Sequence, residues 1–344
     1  MRAIVLAGGE GTRMRPLTWR TPKPLVPLLN RPLLDQLLLH LRGHGFDQIT
    51  LALTHRAEAV QRSFGSGERL GLSLDYAYED TPLGSGGAIA MIAGAHTASA
   101  WDETFLVCNG DIVTDLDLTG MLEAHRAGAA ELSISLYEVE DPSPFGVADL
   151  DGEGRIRRFV EKPPRELAPS KSINSGFWLF EPSLLADMDA TRFNRVEDEL
   201  FPNVCAQGRP VYGYAHAGTW ADVGNPAALL RVNLDLARAT TADGVLLGDD
   251  VTLHANATVE GPAVIGDGAR IAEGATVTGS VLWDGVTVGA GATVRGSTLA
   301  SGVVIGAGAE VLDSVIAHEA VVAPGARIAS ASIEPAATTA GATS

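Results

Sequence analysis

The chain has 344 residues, 46% of them hydrophobic and 19% charged, and a formal net charge of −17. That length exceeds one average core and allows two domains, while the apolar content excludes a disordered chain. The acidic balance argues against a nucleic-acid groove, which needs a basic surface to displace counterions, so a polyanionic substrate would be held by local cations and a metal ion.

Cys108 and Cys205 are the only cysteines and stand far apart. This excludes a disulfide-rich scaffold or a cysteine-based zinc cluster and fits a reducing, cytoplasmic setting. Met1–Gly9 holds one Arg and a five-residue apolar run, which reads as a first strand rather than a signal peptide. No stretch of about twenty uninterrupted apolar residues offers a membrane span.

In chain order, Arg2–Ala7 predicts a buried strand followed by a Gly-rich loop. Pro32–Arg42 predicts a helix, with Leu33, Leu34, Leu37, Leu38 and Leu41 on one stripe and Pro in the first turn. Gln48–Leu53 and Leu72–Tyr78 read as strands with a helix between them; Gly86–Ala93 reads as a helix and Thr104–Cys108 as another buried strand. The last helix of this region is Pro226–Arg238. The alternation implies an α/β fold, a Rossmann-like, mainly parallel sheet with helices on both faces. Ligands of such sheets sit at the carboxyl ends of the strands, where the first loop and Asn109-Gly110-Asp111 both fall.

Beyond Thr240 helical periodicity stops. Aliphatic residues recur from Leu253 through Val259, Ile265 and Ile271 to Ile333, and from Ile265 onward the steps run six, six, five and repeat. One inward aliphatic residue per short step, with Gly and Ala between, predicts a parallel β-helix of hexapeptide-type repeats with three steps per turn. The expected domains are 1–240 for catalysis, 241–334 for the coil and 335–344 for a frayed tail.

The motif with most chemistry is Leu6-Ala-Gly-Gly-Glu-Gly-Thr-Arg-Met-Arg-Pro-Leu-Thr18, followed by Thr21-Pro-Lys-Pro-Leu25. Gly8, Gly9 and Gly11 let backbone N–H groups approach a triphosphate that any Cβ would obstruct. A dinucleotide fingerprint would need Gly where Met14 stands and an acidic residue some twenty positions on. A P-loop would need Gly-Lys-Ser/Thr, and Arg13 follows Thr12 instead. The loop is of a third type.

Gly-Gly-x-Gly-Thr-Arg followed by Pro-Lys-Pro resembles the sugar-1-phosphate nucleotidyltransferases, over nearly the whole length. Within them the chain is most similar to the mannose-1-phosphate guanylyltransferases that carry a C-terminal left-handed β-helix. The resemblance implies condensation of a sugar 1-phosphate with a nucleoside triphosphate, releasing pyrophosphate. It implies that Leu6, Gly8, Gly9, Gly11 and Thr12 line the nucleotide, that Arg13 bridges its phosphates and that Lys23 stands near the attacked α-phosphate. A planar fork of donors suits tetrahedral oxyanions. The only lysines are Lys23, Lys162 and Lys171, and two of the three fall inside family motifs.

Asp111 and Asp222, the latter in Trp220-Ala-Asp-Val-Gly224, match the family's carboxylates. With phosphate oxygens and waters they suit Mg²⁺, which rarely sits in an all-protein cage. On the sugar-phosphate side, Gly146 would offer its backbone, Glu161 would accept from hydroxyls, Lys162 would bind the phosphate and Asn174 would add a polar contact. Leu83-Gly-Ser-Gly-Gly-Ala-Ile89 resembles the base-binding loop but departs from the usual pattern at Ser85 and Gly86. Gly84 and Gly87 would expose backbone groups to the base edge, and Glu79, at a strand end, could accept both adjacent N–H donors of guanine, which favours GTP. Glucose or heptose 1-phosphates and other bases remain alternatives. A non-catalytic regulatory subunit would be expected to lose charged motif residues, and Arg13, Lys23, Asp111, Glu161, Lys162 and Asp222 are all present. The coil holds two histidines, His254 and His318, and no lysine, which disfavours acyl transfer. It is expected to pack subunits into a homo-oligomer, with Trp283 a contact if its side chain points outward.

Overall fold

The computed structural model describes residues 1–54, 57–95 and 101–339. They form two compact units that do not follow chain order. The first takes Met1–Gly9 and Gln36–Trp220, the second Glu10–Asp35 and the chain from Ala221 onward.

The first unit is built on a nine-stranded mixed sheet. Its strands are β1 (Arg2–Leu6), β2 (Gln48–Leu53), β3 (Ser73–Tyr78), β4 (Phe105–Asn109), β5 (Leu132–Glu138), β6 (Gly146–Leu150), β7 (Ile156–Glu161), β8 (Ser172–Phe180) and β9 (Val211–His216). One half runs β3-β2-β1-β4, all parallel. Ala3, Ile4 and Val5 are fully buried, as are Leu106 and Val107. An apolar run without alternation is what a strand covered on both faces requires. Helices α1 (Leu33–Gly43), α2 (Ala57–Phe64) and α3 (Gly84–Ala95) supply the crossovers. The antiparallel half, in which β8 pairs β4, β5 and β6, extends this sheet and has no counterpart among the elements read from periodicity. Its core is aromatic: Phe105 stacks on Phe180 at 5.6 Å, and Trp178 meets Phe201 edge to face at 5.3 Å.

Strand order reverses between β1 and β4, since β1 has β2 on its other side. The crevice beyond the carboxyl ends of those two strands is where open α/β sheets bind ligands. Leu6 and Asn109 are register partners there, so the glycine loop and Asp111 leave the sheet at one level.

The second unit joins a helix, here α4 (Pro226–Thr240), to a coil of three all-parallel ladders of six, six and five strands, the arrangement of a left-handed β-helix. The aliphatic series from Ile265 to Ile328 forms its buried line, and Ile265, Leu282, Leu299 and Ile316 stack in register. The five-residue step has a local cause. Gly279, Gly296 and Asp313 turn in the left-handed region, and each precedes a buried serine. Ser280 Oγ accepts from Ser297 N, Ser297 Oγ from Ser314 N and Ser314 Oγ from Ala331 N, at 3.0–3.1 Å. A last strand, Thr338–Thr339, pairs with Val321–Val322, inside the segment expected to fray; 340–344 lie outside the described residues.

One face of the coil is covered. Its outward-pointing Val264, Val281 and Thr298 are buried, whereas Val304 and Val321 on the next face are 39% and 37% exposed. The cover comes from α4 and from Glu10–Asp35. Asn30 Nδ2 donates to the Ile265 carbonyl, and the buried Asn233 of α4 accepts from Leu29 N, both at 2.8 Å. Trp283 is not available as a subunit contact: it is 2% exposed and lies edge to face with His318. The corner column that bears it faces this cover.

Candidate active site

In the first unit the loop after β1 is tied to its neighbours by backbone N–H groups. Ala7 N donates to Ala52 O, Gly110 N to Leu6 O and Gly9 N to the Thr54 hydroxyl. Gly9 sits at φ +122°, a conformation L side chains rarely adopt. A methyl group at Gly8 would stand 3.1 Å from Thr54 Cγ2 and 3.5 Å from Glu79 Oε1, so Glu79 lies against the glycine loop. Glu79 Oε2 accepts from Leu83 N at 2.8 Å. Burial pushes its carboxyl pKa up and the Leu83 bond pulls it down, leaving it raised overall. Burial thus outweighs the one backbone donor at this carboxylate. Asp111 follows β4 beside the buried Cys108; burial and then the Asp111 charge raise that thiol, which makes it inert as a nucleophile.

The glycines of the base-loop candidate have another task besides the one expected of them. Gly86 N and Gly87 N both donate to Asn194 O, and Asn194 N returns a bond to Leu83 O. A methyl at Gly84 or Gly86 would run into Asn194. Ser85 Oγ donates to Glu197 and accepts from Val196 N. The departures from the family pattern at Ser85 and Gly86 therefore have an intramolecular cause, and the Gly87 N–H is already committed to Asn194.

On the sugar side, Gly146 faces Glu161 across the β6–β7 ladder. Glu161 Oε1 is 3.3 Å from both Lys162 Nζ and Arg195 Nη2. Arg195 also reaches Glu197 and Asp198, at 3.5 and 3.3 Å. Burial works against its charge, yet Glu197, Glu161 and Asp198 together hold its pKa above the ordinary value. Asn174 Oδ1 accepts from Trp178 Nε1 and Gly176 N, so its amide is fixed with the oxygen inward and the NH₂ as its remaining donor. Tyr137 stacks on Trp220 at 5.3 Å and Phe145 meets it edge to face at 5.5 Å.

In the second unit Gly11 turns at φ +63°, and a methyl there would meet Thr18 Cγ2 at 3.2 Å and Lys23 Cβ at 3.3 Å. Thr18 Oγ1 donates to Gly11 O at 2.7 Å, folding the loop back on itself. Thr12–Met14 and Lys23–Leu25 are single 3₁₀ turns. Arg13 and Asp222 converge: a methyl at Gly224 would stand 3.3 Å from Arg13 Nη1 and 3.1 Å from Asp222 Oδ1. Among the described residues no three His, Cys, Asp or Glu side chains form a metal cage. Asp111 and Asp222 are hard oxygen donors of the kind magnesium takes one or two at a time, the remaining ligands being substrate oxygens and water.

Sequence reasoning passed over Arg195 and Asn194. A lone cation opening the acidic run Glu197-Asp198-Glu199 was the available signal for the first; Asn194 carried none.

A Nucleotidyl transferase family model matches residues 2–239, and a model of the GMPPB C-terminal domain matches residues 241–341. The chain is similar to mannose-1-phosphate guanylyltransferase of Mycobacterium tuberculosis, 35% identical over 82% of this chain and 79% of that protein. It is also similar to UTP–glucose-1-phosphate uridylyltransferase of Synechocystis, 34% identical over 81% and 77%. Among solved structures, HddC of Yersinia pseudotuberculosis complexed with GMP-PN matches at a TM-score of 0.57 and 27% identity, over 68% of this chain and 99% of that one.

Proposed function

The chain belongs to the sugar-1-phosphate nucleotidyltransferases, and from that premise we propose that it transfers a guanylyl group from GTP to mannose 1-phosphate with release of pyrophosphate. The observation that carries the base is Glu79, a half-buried carboxylate laid against Gly8 of the glycine loop and anchored by Leu83 N–H. Guanine brings two adjacent N–H donors to such a group; uracil and thymine bring one, flanked by carbonyls that a carboxylate repels. The sugar rests on similarity to the mycobacterial guanylyltransferase.

A sugar-phosphate oxygen is already ionised at neutral pH, so attack on the α-phosphorus needs neither general base nor covalent intermediate. The protein has to offset anion–anion repulsion and align the nucleophile opposite the leaving pyrophosphate. Arg13 and Lys23 take the phosphate charge. Glu161, fixed by Lys162 and Arg195, accepts from sugar hydroxyls, and Asn174 donates through its free NH₂. Asp111 and Asp222 are the candidates to hold magnesium, which when bound neutralises triphosphate charge. A cytoplasmic location and a homo-oligomer complete this reading, with Leu247, Leu253, Val304 and Val321 among the exposed apolar residues of the coil that a second subunit could cover.

The test is pyrophosphate release across a panel of nucleoside triphosphates crossed with hexose and heptose 1-phosphates. GTP with mannose 1-phosphate should lead, and Arg13→Ala or Asp111→Ala should cut turnover by about 100-fold or more. Near-normal turnover in either variant removes the role assignments. Preference for UTP with glucose 1-phosphate transfers the substrates to those named for the Synechocystis relative.

A further inference from the structure

The segment that carries Arg13 and Lys23 is compact with the coil, not with the sheet from which it emerges. Its middle is gripped at one corner. His318 Nε2 lies 3.1 Å from Thr21 Oγ1, and the same ring donates to the Leu17 carbonyl. The next residue, Glu319, pairs with Arg20 at 2.5 Å. Glu319 sits at φ +59°, at the left-handed corner position that Gly302 and Gly285 fill in the preceding turns, so that here the corner carries a charged side chain. His318 is 8% exposed, and Trp283 backs its ring at a centroid distance of 5.4 Å. Two adjacent coil residues therefore hold Leu17, Arg20 and Thr21.

From these three residues the path to the reactive groups is short. Leu17 and Met14 are fully buried, so the chain between them cannot slide. Thr18 bonds back to Gly11 O, and Gly11 packs against Lys23 Cβ. Thr21 is two residues from Lys23, with only Pro22 between. Phosphoryl-transfer catalysis depends on placement, and a shift of about 1 Å can cost on the order of 100-fold in rate.

We propose that the His318–Glu319 corner of the β-helix is a positioning element for catalysis, fixing through Leu17, Arg20 and Thr21 where Arg13 and Lys23 are presented. This rests on the phosphate role given above to Arg13 and Lys23. The coil then serves its own protomer's chemistry and is more than an assembly surface.

The groups facing His318 are Arg20 and Glu319, the Thr21 hydroxyl, the Leu17 carbonyl and the Trp283 indole. Burial, with Arg20 adding to it, lowers the imidazole pKa, while Leu17 and Glu319 oppose that fall. The ring is neutral at neutral pH and can both donate and accept. As pH drops toward the lowered pKa the ring donates from both nitrogens, Thr21 has to turn its hydroxyl to accept, and the new charge is repelled by Arg20, so the grip weakens on the acid side.

The test uses full-length protein and four variants: His318→Ala, His318→Gln, Arg20→Ala and Arg13→Ala. His318→Ala should lower kcat about tenfold, leave the KM for sugar phosphate within about twofold, and expose Arg13 and Arg20 to trypsin (Arg15 and Lys23 precede prolines and resist). His318→Gln, which keeps a donor and an acceptor, should recover most of the rate and flatten the acid limb of the pH profile. Arg20→Ala, exposed and safe for folding, should reproduce a smaller loss should His318→Ala fail to fold. If Arg13→Ala is inactive while His318→Ala and Arg20→Ala keep wild-type kcat and trypsin resistance, the positioning role is overturned. If Arg13→Ala is itself active, the catalytic reading falls instead, and trypsin sensitivity alone decides whether the corner holds the loop.

Discussion

Gly146 stands across the β6–β7 ladder from Glu161, and a methyl group on it would lie 2.8 Å from the Glu161 carboxylate. The same methyl would strike the Phe159 ring. Gly146→Ala should therefore turn Glu161 away from the sugar site and loosen the sheet edge. The KM for sugar phosphate should rise about tenfold and stability drop by about 1–3 kcal/mol, with the triphosphate KM unchanged. Steady-state kinetics and urea melts measure both. Equal rises in the two KM values contradict the assignment of Glu161.

Arg195 gathers Glu161, Glu197 and Asp198. Its removal leaves three carboxylates facing one another, two of them with side chains only 14% and 10% exposed. Arg195→Ala should cost about 1–2 kcal/mol, and added salt should restore part of it by screening the repulsion. Sugar-phosphate affinity should fall with it. A variant insensitive to salt means the carboxylates have moved apart.

Gly86 is buried against Asn194, which also holds the Asp189 and Arg192 carbonyls through its amide. Gly86→Ala should destabilise by about 1–3 kcal/mol while base preference stays as it is. Asn194→Ala in that background should return part of the stability, since it removes the obstructing amide. Altered base preference at unchanged stability would mean that this turn reads the base directly.

His125 is 2% exposed, with Ser133 Oγ at 2.8 Å and Glu181 Oε1 at 3.1 Å. Burial lowers its pKa below 6.5, and Glu181 only partly opposes this. An unfolded chain therefore takes up a proton at a pH where the folded ring does not, so stability falls as pH drops below about 6.5 until the folded ring protonates too. His40 and His318 shift the same way and add to the slope. Chemical denaturation from pH 8 to 5 should reveal it, and His125→Gln should make the slope shallower. An unchanged slope leaves His125 out of the linkage.

The coil is legible in the sequence because each strand buries one aliphatic residue and the next turn repeats it, so Ile265, Leu282 and Leu299 recur at one fixed spacing. The glycine loop was legible because its backbone conformations exclude side chains, as at Gly9 and Gly11. What periodicity does not carry is partnership between distant segments. Nothing local to Arg20-Thr21 announces Glu319 and His318, almost three hundred positions on. Nor does Gly86 announce Asn194, since the contact is steric and specific to the folded chain. Strand β5 escapes for a related reason: Leu132, Ile134 and Leu136 alternate with Ser133 and Ser135, which are buried too, so polarity does not mark an outer face.

The stacked hydroxyls of Ser280, Ser297 and Ser314 act as a tally of turns. Each receives the amide of the rung above, and Ala331 receives none to pass on, because its methyl has no lone pair. A further rung laid on that corner, from this polypeptide or another copy of it, would meet an alanine where an acceptor is needed. The serine column thus stops at Ala331, so at that corner a further rung would find a methyl group in place of the hydroxyl.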